Sequence, residues 1–141
     1  MSNLKVTNIQ SKGTGFNDVV SFQNASGTEN GTLCRAFVNF DGTFGTSPFT
    51  TANGGIRAAF NVSSVTDIAL GRYTANFTNA MPDTDYAAVS HGYYGNVTNE
   101  NGYLTLEDAR IAARTTSSFT LATTTTSVYN DSAITSIVIF R

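Results

Sequence analysis

Between Arg35 and Asp85 the chain alternates apolar with small polar residues at every second position, in three blocks that each run into a turn signal. The blocks are Arg35-Ala36-Phe37-Val38-Asn39-Phe40 before Asp41-Gly42, Ile56-Arg57-Ala58-Ala59-Phe60-Asn61-Val62 with Ser63-Ser64-Val65-Thr66-Asp67, and Arg72-Tyr73-Thr74-Ala75-Asn76-Phe77 before Met81-Pro82-Asp83. Successive side chains of a strand point to opposite sides of its sheet, so this period marks half-buried antiparallel strands. Strands are predicted near 33–40, 55–62, 64–69, 72–78, 86–93, 103–106, 109–114, 118–123 and 132–140. No long segment holds a 3.6-residue apolar period. The stretch Leu104 to Arg114 is open between a single exposed turn and a strand pair, and strand is favoured. Short strands at this spacing, separated by Gly, Asn, Asp and Pro, predict an all-β fold, an antiparallel β-sandwich with a short extended N-terminal docking segment.

The run Ala133-Ile134-Thr135-Ser136-Ile137-Val138-Ile139-Phe140 is strongly β-prone and is expected to close the core as an interior strand. Three Asn-Gly pairs, at 30–31, 53–54 and 101–102, are expected at hairpin turns, because both residues accept a positive φ. Phe40, Phe44 and Phe49 flank two Gly-containing turns; the rings either roof the core or face a neighbouring subunit, and roofing is favoured.

The 141 residues suit one main domain, placed at 33–141. Residues 1–32 differ. Leu4, Val6 and Ile9 form one sparse apolar stretch, Val19, Val20 and Phe22 another, and Asn24 to Gly31 is turn chemistry. So few apolar groups cannot build a core alone, which leaves two readings: an attachment or trimerisation segment, or a pair of edge strands packed on the main domain.

Charged residues are only 13% of the chain against the usual quarter, and the net charge is −2, so no broad surface is offered to phosphates or anionic lipid. Nucleic acid and membrane insertion are not expected. The amino-terminal residues lack a basic start followed by an apolar run, so no secretory signal is read and synthesis in a cytoplasm is expected. Cys34 is the sole cysteine, which excludes an intrachain disulfide, and it is expected as a small buried hydrophobe.

Catalytic chemistry is thin. His91 is the only histidine; Ser90 and Asp85 could complete a trio on paper, but neighbours in a strand face opposite ways. Glu100 with Glu107 or Asp108 sits among Asn, Thr and Gly, which would not raise a carboxyl pKa by burial. Asp83 and Asp85 read as an Asx turn after Pro82 rather than a cation site. No enzyme, metal or cofactor is expected. Asn-X-Ser/Thr sequons, those at Asn24, Asn61, Asn76, Asn96 and Asn130 among them, follow from a composition rich in those residues and are expected to stay bare.

The best recognition candidate is His91 to Tyr103, carrying Tyr93, Tyr94, Asn96, Asn99 and Tyr103. Tyr supplies rigid contact area with a polar tip and Asn supplies adaptable hydrogen bonds, a pairing suited to sugar hydroxyls or a protein surface. The loop is open between a glycan-binding tip and a subunit contact or solvated hairpin.

The ordered blocks, and within the third Tyr73, Thr74, Asn76, Phe77, Ala80, Met81, Pro82 and Asp83, resemble the carboxyl-terminal domain of tail-fibre-like, small virion structural proteins of tailed bacteriophages, cyanophages included. The resemblance spans residues 35–89; Phe37 stands where that family usually carries Trp, the loop after Phe40 is longer, and no repetitive shaft is present. It implies a virion protein, a homotrimer, with an amino terminus that docks on baseplate, tail or capsid proteins and a tip that contacts the host surface, where a cell-surface glycan is the ligand that the Tyr and Asn loop would suit. A short tail fibre is the reading it favours. A capsid decoration or head-fibre protein, a collar or connector, and a carbohydrate-binding module are the alternatives.

Overall fold

The computed structural model describes residues 34–93, 114–124 and 128–141 in full and 20–24, 27–31 and 104–107 as backbone. It divides into two units, Met1–Leu33 and Cys34–Arg141. In the first, β1 (Val20–Asn24) and β2 (Gly27–Gly31) form a two-stranded antiparallel sheet, with Asn24 opposite Gly27 and Val20 opposite Gly31. Two expectations are corrected here. Residues 27–31 are strand rather than turn, and Asn30-Gly31 lies in the ladder opposite Ser21 and Val20 because the hairpin closes between Asn24 and Gly27. Asn-Gly permits a tight turn but does not force one.

The second unit is a sandwich of two antiparallel sheets, as the alternation predicted. β3 (Cys34–Phe40), β4 (Ile56–Phe60), β7 (Ala87–Tyr93) and β10 (Ile134–Phe140) make one sheet in the order β4-β3-β10-β7. The other is β5-β6-β9-β8, built from β5 (Val62–Ala69), β6 (Arg72–Phe77), β8 (Leu104–Glu107) and β9 (Ser118–Thr124). The strand β10 lies between β3 and β7, the interior place its apolar run suggested. Of the predicted 109–114 strand only Arg114 is described, in an isolated bridge to Phe119. Asn101-Gly102 lies outside the described residues.

Inward residues follow the alternation: Ala36, Val38 and Phe40 from β3, Tyr73, Ala75 and Phe77 from β6, Ile137 and Ile139 from β10 are all buried. At one end Phe40, Phe49 and Tyr73 pack with ring centroids 5.1–6.2 Å apart, and Phe44 stands edge-on to Phe49 at 5.9 Å. Phe40 and Phe49 therefore roof the core. The Phe49 backbone exchanges two hydrogen bonds with Val65, at 2.7 and 3.0 Å, which fastens the 41–55 connection to the edge of β5. Within that connection Asn53-Gly54 does turn, Gly54 taking φ +85° while Asn53 Oδ1 accepts from the Thr50 and Gly55 amides.

Cys34 departs from expectation: it is exposed. The β3–β10 ladder slips between Ile139 and Phe140, so Ala36 faces Ile139 but Cys34 faces Phe140, and Arg35 is the extra residue. One bulged residue reverses which side the preceding side chain meets, and Cys34 leaves the core side.

The chain passes from the first sheet to the second at Asn61, held at φ 54°, a conformation open at low cost to Gly, Asn and Asp. Its Nδ2 donates to the carbonyls of Arg35 (3.0 Å) and Asn79 (3.1 Å), and its Oδ1 accepts from the Asn79 amide at 2.7 Å. One side chain thus ties β3, the sheet crossing and the segment after β6. Replacing Asn61 by Ala is expected to cost about 2–3 kcal/mol, the strain of a left-handed Ala plus three lost hydrogen bonds, and replacing it by Gly about half that. Urea midpoints at unchanged m-value would show the order wild type, Gly, Ala.

Candidate functional site

The outer sides of the two sheets differ in kind. On the described part of the second sheet Ser64, Thr66, Thr74 and Asn76 stand outward and are hydrogen-bonded: Asn76 Nδ2 donates to Ser64 Oγ at 3.1 Å and Thr66 Oγ1 at 3.0 Å, while Thr74 and Thr120 hydroxyls lie 2.8 Å apart. This part of the face is polar.

The first sheet is different. Its register aligns Phe60 of β4, Phe37 of β3, Val138 of β10 and Val89 of β7 in one transverse row. Phe60 is 55%, Phe37 37% and Val89 60% exposed, and the two Phe rings stack at 6.4 Å. Beside it runs a row of Ala58, Asn39, Ser136 and His91, in which Asn39 Nδ2 donates to Ser136 Oγ at 2.8 Å. A third, shorter row pairs Ile134 with Tyr93. Sequence reasoning passed over this face although its signal was present: Ala36-Phe37-Val38 and Ile137-Val138-Ile139-Phe140 are apolar in both phases of the strand, the pattern of a sheet covered on both sides.

Of the recognition residues read from the sequence, Tyr93 is described: it ends β7, is 41% exposed, and belongs to this outer face. Its carbonyl accepts from Ser132 Oγ at 2.8 Å. Tyr94, Asn96, Asn99 and Tyr103 lie outside the described residues, as do Leu4, Val6, Ile9 and Val19 of the docking segment. Val20 and Phe22 fall in β1, known here by its backbone alone. Ser90 and His91 do alternate along β7, His91 standing outward with Val89 and Tyr93. Among the described residues no group of three or more His, Cys, Asp or Glu gathers as a metal site. Among the described residues no helix is long and apolar enough to cross a membrane.

Asp83 accepts the Asp85 amide on Oδ1 at 2.9 Å, the Asx turn expected after Pro82, and takes a two-point ion pair from Arg141 at 2.9 and 2.6 Å. That pair holds the Asp83 carboxyl below the usual carboxylate range, with the Asp85 amide adding to the effect.

A polar knot closes the end of the sandwich where β5 turns into β6. The buried Tyr73 hydroxyl lies 2.7 Å from Asp131 Oδ1 and 3.1 Å from the Gly42 carbonyl, and Asp131 Oδ1 also accepts the Gly71 amide at 2.7 Å. Burial, then the Asp131 bond, drive the Tyr73 pKa far upward, so the phenol stays protonated as a donor. Nearby Asp67 has its Oδ1 buried without a hydrogen-bond partner, and its pKa is raised, first by burial and then by the Asp131 charge. A carboxyl whose pKa is raised by folding favours the folded state when protonated, so this contribution is full below the ordinary carboxylate range. It is lost as pH rises through the raised value. The variant Asp67→Asn is therefore expected to be more stable than wild type at pH 7, with the advantage shrinking as pH falls toward the carboxylate range. Thermal melts of the two proteins across pH 3–7 check it.

No family model, curated protein or solved structure matches this chain.

Proposed function

We propose that this chain is a non-enzymatic structural component of a tailed-phage virion, a short tail fibre or fibre tip. Its amino-terminal segment docks on other virion proteins and trimerises the chain, and the loop that leaves β7 at Tyr93 contacts the host surface. The observation that carries the reading is where the resemblance residues fall. Tyr73 and Phe77 are buried, Met81 is buried beyond them, and Asp83 anchors Arg141. The block that resembles the phage domain is thus the part that builds the sandwich, so the likeness concerns a scaffold and leaves ligand choice to the loops.

Immunogold labelling of purified particles tests it. Label at the tail end is the expected result. Label on the head would replace the fibre with a decoration protein, label at the neck with a collar, and absence from particles would overturn the virion role. A monomer that binds soluble sugars and is missing from particles would establish the carbohydrate-binding module instead.

A further inference from the structure

We propose that the outer face of the β4-β3-β10-β7 sheet is an interface between copies of this chain. The three rows Phe60-Phe37-Val138-Val89, Ala58-Asn39-Ser136-His91 and Ile134-Tyr93 hold no Asp, Glu, Lys or Arg; a fourth row, Cys34-Phe140-Ala87, borders them, and the two arginines of these strands, Arg35 and Arg57, are the extra residues at the ladder irregularities along the margin. On the described part of the opposite side Ser64, Thr66, Thr74, Asn76 and Thr120 hydrogen-bond one another, and its exposed hydrophobes, Ile68 and Leu70, sit at one end of β5 rather than in a row across four strands. Single exposed hydrophobes are ordinary, whereas a contiguous row crossing four strands marks a surface that is covered.

The size fits. Four strands of five to seven residues, spaced about 4.8 Å and rising about 3.3 Å per residue, span roughly 19 by 23 Å, about 440 Å² in projection. Side chains standing off the sheet raise the accessible area toward the ~800 Å² that each partner gives to a standard interface. Sheets also pack face to face readily, about 10 Å apart, through interdigitated side chains.

Charge selects the occupant. The centre of the face holds no acidic or basic side chain, and of the arginines at its margin Arg57 is paired with Asp41 at 2.8 Å, so the centre is complementary to another such apolar centre, which a second copy supplies by construction. A neutral glycan would need several polar groups around an aromatic platform, but the central Asn39 and Ser136 are bonded to each other at 2.8 Å, which leaves His91 and Tyr93 at the β7 edge. The inference stands apart from the virion reading, because it concerns which surface the copies share and not where the assembly sits.

The test is sedimentation velocity of the full chain over a range of concentrations, for wild type, Phe60→Lys with Val89→Lys, Leu70→Lys, and Leu4→Ser with Val6→Ser and Ile9→Ser. Near-uniform melting curves certify folding; should the lysine pair melt early, Phe60→Ser with Val89→Thr replaces it. The expected result is self-association in wild type, weakened at least ~100-fold by the lysine pair, since each Lys would bury an unpaired charge. Leu70→Lys, at an exposed hairpin tip of the other sheet, should leave it unchanged. A wild type that stays monomeric, or a lysine pair that associates like wild type, overturns the proposal. If only the amino-terminal triple variant dissociates, the face is overturned while the docking segment stands. Loss of neutral-glycan binding in the lysine pair without loss of association overturns it in favour of a sugar platform.

Discussion

Replacing Gly71 by Ala should remove about 3–5 kcal/mol of folding free energy, the largest loss expected from adding one carbon to this protein. Gly71 and Leu70 form the two-residue turn between β5 and β6, Ala69 pairing with Arg72 across it, and Gly71 takes φ +64°. The left-handed conformation alone costs a non-glycine residue about 1–2 kcal/mol. Space is the larger difficulty. A Cβ there would stand 2.6 Å from the Thr123 carbonyl oxygen and the Asn130 nitrogen, and 2.7 Å from the Asn130 oxygen. These are backbone atoms and cannot rotate aside. Moving the turn outward instead would break the Gly71 amide bond to Asp131 and the bond its carbonyl accepts from the Thr123 amide, both 2.7 Å. With Asp131 displaced, the buried Tyr73 hydroxyl would lose the closer of its two partners, so the damage spreads through the knot. Urea denaturation measures it, with Leu70→Ala at the exposed neighbouring position as a control expected within about 0.5 kcal/mol of wild type.

The second large effect is expected at Phe49. Truncation to Ala should cost about 3–5 kcal/mol, the range for emptying a buried aromatic site. Phe49 is fully buried although it lies outside the named strands, and it touches Phe40, Phe44 and Tyr73. The cavity would open between the two sheets, where the 41–55 connection is pinned to β5 by two backbone bonds, so collapse is restrained and the upper half of the range is expected. Phe44→Ala, at a half-buried ring packed on the outside of Phe49, should cost less than half as much. The ratio of the two, read from denaturant midpoints, distinguishes a roof that seals the core from a loop that merely rests on it.

Much of the sandwich was legible in the sequence because burial on one side imposes a period of two. Ala36, Val38 and Phe40, or Tyr73, Ala75 and Phe77, announce both the strand and its inward side. The run from Ile134 to Phe140 announced an interior strand for the same reason. What escaped depends on contacts distant in the chain. Cys34 has the parity of a core residue, and only the slip at Arg35 in the pairing with β10 turns it out. Asn61 looked like one more sequon in an Asn-rich chain, yet it is the joint between sheets; its partners Arg35 and Asn79 are 26 and 18 residues away. Asn30-Gly31 carries turn chemistry that the closing of the hairpin at Asn24 and Gly27 leaves unused. The candidate site was half legible: Tyr93 was picked for its chemistry, but the row it lies beside is assembled from four strands and exists only once the β4-β3-β10-β7 order is known.

The proposed assembly through the apolar outer face of that sheet is tested most directly by the solution mass of the full chain, by light scattering on the eluting protein at several loadings. The predicted result is a mass above that of one chain, which falls toward a single chain when Phe60 and Val89 become lysine. A single-chain mass at every loading, with Phe60, Phe37 and Val89 left open to solvent, would contradict it.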